Sequence, residues 1–410
     1  MRPQLANGAR WAGEIVNTLR ISRVTLKNAY EREARQILRL GRARNTRYAA
    51  RQLLTGLETD EFPVCRVDQA GGIAVAGTLI TLAVSESVWL PDETIIDGLP
   101  PEMHDAAPRG FLGLSYARRH ADLGLPEDVT NWSDHHVLTA LSRRGEDLPG
   151  NLVIGRESFA RYQDLQHKTC TVDAFPALSA AALAGEHVGS SAGGERPKFT
   201  ALVDGQHRIV KFANNETDNA RRWQDLLTLE HIALETLRDA GIQTAETRLL
   251  DVDDLRCLVI NRFDRIGETG RRAVMTLAAT SARIDGSWTD AAQELQRREE
   301  FSNEDVERIA VLDAFGALIA NTDRHHDNVL LFPTGTGYAL APAFDQLPMA
   351  YAPPASGNLR KSAVNEPRPA VNTLAVWDQA RALANDFWRR ASDQQLTDSM
   401  HAIVRAHAAR

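Results

Sequence analysis

The chain has 410 residues, with 47 Lys or Arg against 54 Asp or Glu, a formal charge of −7. That length suits two or three domains, and the apolar and charged fractions are those of a soluble globular protein. Cys65, Cys170 and Cys257 form no CxxC pair, which excludes a zinc ribbon and a disulfide framework and fits a reducing compartment such as the cytoplasm.

The charge is uneven along the chain. The first 55 residues carry +9 and the remainder −16, an asymmetry that signals nucleic acid. Trp11, Ile15, Val16 and Leu19 recur at helical spacing, and Ser22 stands ready to cap a second helix through Val24, Leu26, Ala29 and Tyr30. The pattern predicts helix, tight turn, helix. Arg23, Thr25, Lys27 and Asn28 then sit where a recognition helix meets base edges. Residues 36–51 alternate apolar and basic around Gly41, like a hairpin whose Arg42, Arg44 and Arg47 would meet DNA phosphates. The segment resembles a winged helix-turn-helix that binds double-stranded DNA. The bland reading is a solvated basic face docked on the acidic body.

The first 20 or so residues lack the basic-then-apolar pattern of a secretory leader. Gln69–Ser85 carries no charge, but it is too short and too rich in Gly, Thr and β-branched residues for a membrane span. It reads as buried antiparallel sheet. Phe62–Val67 reads as another strand, Pro149-Gly150 as a turn, and His135-His136 as capping or exposed histidines rather than metal ligands.

From residue 189 the chemistry concentrates. A small-residue loop, Gly189–Lys198, precedes strands Phe199–Val203 and Arg208–Phe212, the second carrying Lys211. Such a loop can lay backbone N–H groups over phosphates, with a lysine beside them. Trp223–Ala240 is an amphipathic helix from which Glu230 or Glu235 can reach a strand lysine. Cys257–Arg265 leaves a hydrophobic strand for a polar segment. An apolar helix, Ile309–Ile319, ends in Asp323 and Asn328, and a predicted hairpin brings Asp345 back toward them. Asp and Asn oxygens suit Mg²⁺. The Asp-x-x-x-x-Asn spacing equals that of a protein-kinase catalytic loop, where the Asp accepts the substrate proton and the Asn holds metal. A metal site of His325-His326-Asp327 is disfavoured, because adjacent side chains cannot all face one ion.

Taken together, SSAGGERPKF, IVKF, LEHIALE, VINRFDR, ANTDRHHDN and APAFD resemble the HipA family of bacterial serine/threonine kinases, toxins of toxin–antitoxin modules, over roughly residues 58–410. The head and the TDRH stretch are most similar to the YjjJ-like subgroup. The resemblance implies an α+β fold: a bilobal protein-kinase-like core with a helical C-lobe, preceded by a small β-rich domain and a winged helix. The expected boundaries are 1–55, 56–150, 151–262 for the ATP-binding region and 263–410 for the C-lobe. The resemblance implies Asp323 as catalytic base and Asn328 and Asp345 as Mg²⁺ ligands. It implies that Ala192, Gly193, Gly194, Lys198 and Lys211 meet the phosphates of ATP, and that Glu230 partners Lys211. It places adenine near Asn261 and Phe263, His325 beside the nucleotide, and Ser190 as an autophosphorylation site. Asp327 departs from the family pattern, standing where a lysine is expected. The implied partners are a protein with a Ser or Thr acceptor, DNA and an antitoxin, with no membrane. The alternative function is a DNA-binding regulator whose kinase-like core only binds nucleotide.

Overall fold

The computed structural model describes every residue except 185–196, 281, 283, 284 and 355–357. The chain forms two compact units. One comprises Met1–Asp68, Gly72–Ala107 and His120–Leu165; the other comprises Gln69–Gly71, Pro108–Arg119 and Gln166–Arg410.

The first unit opens with β1 (Arg10–Trp11), α1 (Ala12–Leu19), α2 (Arg23–Glu33), β2 (Ile37–Leu40) and β3 (Arg47–Ala50), the strands ordered β1-β3-β2. Two helices joined by a short turn form over these residues. Arg20 stops α1 in the left-handed region, and the Ser22 hydroxyl accepts the Thr25 N–H at 3.0 Å to start α2, a cap worth about 1 kcal/mol. Leu5, Ile15, Leu26, Ile37 and Tyr48 close a small core. Leu26 points inward, so Arg23, Thr25, Lys27 and Asn28 of the same helix are exposed. In the hairpin Gly41 has φ +71°, and a Cβ there would lie 2.1 Å from the Asn45 carbonyl oxygen, so the tight turn demands glycine.

This head is fused to the sheet that follows. Leu40 and Ala49 share a second core with Ile80, Leu82 and Val88. The Gln52 N–H donates to the Thr81 carbonyl at 3.0 Å, and the Thr81 hydroxyl returns a bond to the Gln52 carbonyl at 2.6 Å. The three hairpin arginines therefore divide. Arg42 and Arg44, at the turn, are exposed. Arg47, on the strand, donates to the Glu93 carbonyl at 2.9 Å and lies 5.1 Å from the Trp11 ring centroid, so its guanidinium is engaged internally rather than presented with the other two.

The sheet itself has the order β7-β6-β5-β4-β8, all antiparallel: β4 (Glu61–Val67), β5 (Ile73–Thr81), β6 (Glu86–Leu90), β7 (Thr94–Asp97) and β8 (Leu152–Ile154). The uncharged run does form a strand, but its burial is only partial. Leu79, Ile80 and Thr81 are buried, whereas Val75 is 70% exposed, because β6 pairs only with Thr78–Thr81 and the start of β5 runs past it. Helices α3 (Pro101–Ala106), α5 (Asp134–Arg144) and α6 (Arg156–Gln163) complete the unit, while α4 (Gly110–Arg119) lies in the other. His136 caps α5, accepting the Ser133 N–H at 3.1 Å. Residues 151–165, expected with the ATP-binding region, belong here instead: β8 pairs with β4 through Val64, Cys65 and Arg66.

In the second unit, α7 (Phe175–Ala184), β9 (Lys198–Val203), β10 (Gln206–Ala213), α8 (Asp218–Asp239), β11 (Thr247–Val252) and β12 (Leu255–Asn261) build an antiparallel sheet of order β11-β12-β10-β9. Strand alternation gives it two apolar faces. Phe199, Val210, Phe212, Cys257 and Val259 pack with Phe175 of α7. Leu258 and Ile260 join Leu226, Leu229, Ala233 and Leu237 of α8 in a larger core. That core continues through α9 (Trp288–Arg297), α10 (Asn303–Leu318), α11 (Trp377–Ser392) and α12 (Asp398–Ala408). Ser287, Ser302 and Thr217 cap α9, α10 and α8. Short strands β13 (Arg265–Ile266), β14 (Gly270–Arg271) and β15 (Met275–Thr276) lead into this part, and β16 (Leu330–Pro333) with β17 (Tyr338–Leu340) forms the expected hairpin. Among the described residues, no helix is long and apolar enough to cross a membrane.

Candidate functional site

Register places the central lysine. Lys211 of β10 lies opposite Leu258 of β12, so it shares the face that packs on α8. There it meets Glu230, one of the two glutamates expected to reach it. The Lys211 ammonium donates to both carboxylate oxygens of Glu230, at 2.7 and 2.9 Å, and also to Oδ1 of Asp345. Lys211 is 6% exposed and Glu230 0%. Burial opposes the charge on Lys211, but Asp345 and Glu230 outweigh it and hold the ammonium above the ordinary lysine range. Burial pushes the Glu230 carboxyl up, and nearby Asp345 adds to that, against the pull of Lys211. For Asp345, burial raises the carboxyl but Lys211 and Lys198 prevail and hold it low. Two carboxylates thus share one buried ammonium.

The chain reaches Asp345 from the β16–β17 hairpin by pairing Ala343 with Thr244, between α8 and β11. The Ala343 N–H donates to the Gln243 carbonyl at 2.9 Å and the Ala245 N–H to the Ala343 carbonyl at 2.8 Å. Asp345 itself adopts φ +52°, a left-handed conformation uncommon for a non-glycine residue.

Asp323 and Asn328 sit in the loop after α10, where Ala320, just past the helix end, has φ +62°. Asn321, 1% exposed, joins this loop to Asp345: its Oδ1 accepts the Asp323 N–H at 3.0 Å, and its Nδ2 donates to the Asp345 carbonyl at 3.2 Å. The Asn328 amide donates to the Asp323 carbonyl at 2.7 Å. His325 faces two carboxylates, Nε2 3.6 Å from Asp323 Oδ1 and Nδ1 3.6 Å from Asp327 Oδ2. Asp327, followed by Asp323, raises the imidazole above its ordinary value despite partial burial. Asp327 in turn accepts from Arg109 at 2.7 Å. Trp288, buried at the start of α9, donates its indole N–H to the His325 carbonyl at 2.9 Å. Arg324 ties the loop to Asp313 of α10 at 3.3 Å.

The expected adenine neighbours lie close in sequence but are engaged in different ways. Asn261 donates its side-chain amide to Glu246 at 2.6 Å, and its backbone N–H goes to the Glu246 carbonyl. The Phe263 ring lies 6.0 Å from each of Phe332 and Phe344, centroid to centroid. Ser190, Ala192, Gly193 and Gly194 lie outside the described residues. Among the described residues, no cluster of three or more His, Cys, Asp or Glu side chains could hold a metal. Mg²⁺ shared with phosphates is bound through only one or two protein carboxylates, fewer than such a cluster holds. The sequence reading missed Asn321, Trp288 and Arg109; of these only Asn321, two positions before Asp323, carried a local signal, as a polar residue closing an apolar helix.

Comparison with known proteins bears on this arrangement. Residues 190–410 match the HipA-like C-terminal domain, and residues 58–163 match the YjjJ-like toxin middle domain. Toxin YjjJ of Escherichia coli (strain K12) is 34% identical over 426 residues, covering 98% of this chain and 94% of the relative. The chain belongs to the HipA-like toxin family, in its YjjJ-like branch. Its fold is also that of the Shewanella oneidensis MR-1 HipA in a complex of HipA, HipB and operator DNA: TM-score 0.57, 14% identity, covering 85% of this chain and 95% of that one.

Proposed function

We propose that this chain is an ATP- and Mg²⁺-dependent kinase that phosphorylates a Ser or Thr hydroxyl of a protein. The observation that carries this reading is the buried Lys211–Glu230–Asp345 cluster, joined through Asn321 to the loop of Asp323 and Asn328. When bound, ATP supplies the transferable phosphoryl group and Mg²⁺ offsets its charge. Asp323, exposed at the loop, accepts the proton of the acceptor hydroxyl. Glu230 holds Lys211 where it can turn to phosphate, and Asn328 with Asp345 holds the metal. Lys198, whose charge already acts on Asp345, adds a second cation beside the phosphates. Incubation with labelled ATP and Mg²⁺, followed by mass spectrometry of the protein and a cell lysate, tests it. Label should reach Ser or Thr residues, and Asp323→Ala should lower transfer by about 10²- to 10⁴-fold while ATP still binds. Transfer at the wild-type rate in that variant rejects the assignment; ATP binding with no transfer by the wild type leaves a nucleotide-sensing regulator.

The head supports a second activity, binding of double-stranded DNA. Arg23, Thr25, Lys27 and Asn28 project from one exposed helix end, and Arg42 and Arg44 from the exposed hairpin turn. HipA of Shewanella oneidensis forms a complex with HipB and its operator DNA, so an antitoxin is a natural further partner. The helix residues would read bases and the turn arginines would meet phosphates. In a gel shift, DNA from upstream of the gene should bind more tightly than a scrambled duplex, and Asn28→Ala should narrow that gap. Equal affinity for both duplexes rejects a specific operator.

A further inference from the structure

Arg109 enters the site from a distant stretch of sequence. Residues Pro108–Arg119 lie, by sequence, inside the stretch matching the middle domain, yet they belong to the compact unit that holds the site. Gly110, at φ +59°, turns the chain into α4, and the Gly113 N–H donates to the Arg109 carbonyl at 2.8 Å, so the first helical turn fixes the Arg109 backbone. Phe111, Gly113 and Ala117 bury the inner face of α4, leaving Arg109 at its start. From there its guanidinium meets Asp327 at 2.7 Å. A linear chain of charges follows: Arg109 to Asp327, Asp327 to one nitrogen of His325, and the other nitrogen of His325 to Asp323. The His325 carbonyl is held separately by the Trp288 indole.

We propose that Arg109 is a positioning residue of the catalytic loop: by fixing Asp327 it sets the plane of His325 and, through it, the orientation of the Asp323 carboxylate. This deepens the phosphotransfer reading and rests on it. Without Arg109, the Asp327 carboxylate is free to swing, and His325 loses one of its two anchors. Both members of the Arg109–Asp327 pair are about half exposed, so the pair adds little to global stability and its loss should not unfold the protein.

The test is Arg109→Met in the full chain, with Asp327→Arg and the charge-swapped double variant Arg109→Asp/Asp327→Arg. For Arg109→Met, kcat should fall about fivefold, the scale of one exposed ion pair, with KM for ATP and Tm unchanged. The Trp288 indole N–H resonance, assigned with Trp288→Phe, should shift as the loop it is bonded to relaxes. The double variant should recover both kcat and the resonance relative to either single change. An active wild type with Arg109→Met unaltered in kcat and resonance overturns the proposal. So does a double variant no better than Asp327→Arg alone. If the wild type transfers no phosphate, the kinase reading fails separately. The resonance then decides alone: a shift in Arg109→Met reversed by the swap upholds the positioning, and no shift ends it.

Discussion

Lys211 and Arg44 are both basic, and the fold treats them in opposite ways. Lys211 is buried on the α8 face of a sheet and held by two carboxylates. Arg44 stands at a hairpin turn, exposed to solvent. The first is expensive to desolvate and keeps its charge only because partners are in place; the second costs the fold almost nothing and is available to an outside ligand. The same contrast runs within the hairpin, where Arg47 is engaged by Glu93 and Trp11 while Arg42 and Arg44 are not buried. Charge that a fold encloses acts on groups the fold itself supplies. Charge left at a turn tip stays open to solvent.

The sharpest way to break this comparison is to remove one partner from each region. Glu230→Ala leaves a buried ammonium with half its compensation and should cost about 3–5 kcal/mol by denaturant unfolding, whereas Arg44→Ala should stay within about 0.5 kcal/mol. Similar losses in the two would show that burial does not distinguish them.

A buried neutral group sharpens it further. His407 is enclosed by Trp388, stacked at 4.2 Å, and by the Tyr351 hydroxyl; burial lowers its pKa to about 4, with Arg410 adding to the effect. The unfolded chain takes up this proton near pH 6.5 and the folded chain only near 4, so the contribution is complete above 6.5 and is lost as pH falls between those values. The loss should reach roughly 3 kcal/mol at the low end of that range, about 2 kcal/mol of it by pH 5, from 1.36 kcal/mol per pKa unit. Stability measured at pH 7 and pH 5 should differ less in His407→Gln than in the wild type. An unchanged difference would remove His407 from the acid response.

The smallest effect belongs to the exposed arginines. On DNA, losing Arg42 or Arg44 should each lower the slope of log K against log salt by about 0.9, and Arg47→Ala should leave that slope unaltered while loosening the head. A slope that responds equally to all three would mean that Arg47 leaves Glu93 when DNA binds.

Much of the local structure around the candidate site was legible because its signals are local. Lys211 sits on a period-two strand, Glu230 on the apolar stripe side of a helix, and Asp323 and Asn328 at the end of an apolar helix followed by a hairpin that returns to Asp345. The Ser22 cap made the turn in the head legible in the same way. What escaped depends on segments meeting across the chain. Arg109 and Asp327 are 218 positions apart, and nothing around Arg109 marks it. Leu152–Ile154 is too short and too generic to reveal that it completes the β4 sheet rather than opening the next region. The uncharged run looked buried throughout because composition carries no record of which end of a strand runs past its neighbours. Arg47 resembled Arg42 and Arg44 because position on a strand or in a turn is invisible in a list of arginines.

The shared core of Leu40, Ala49, Ile80, Leu82 and Val88 has a consequence for anyone who would exchange parts between relatives. Residues 1–55 are not a detachable cassette. A chimera cut after residue 55 would set a foreign hairpin against Ile80, Leu82 and Val88 and would leave Glu93 without the Gly41 N–H and Arg47 that it receives. The smallest transplantable piece runs at least through β7, so the inheritance of a new head in this lineage requires that the sheet travel with it or be re-matched residue by residue.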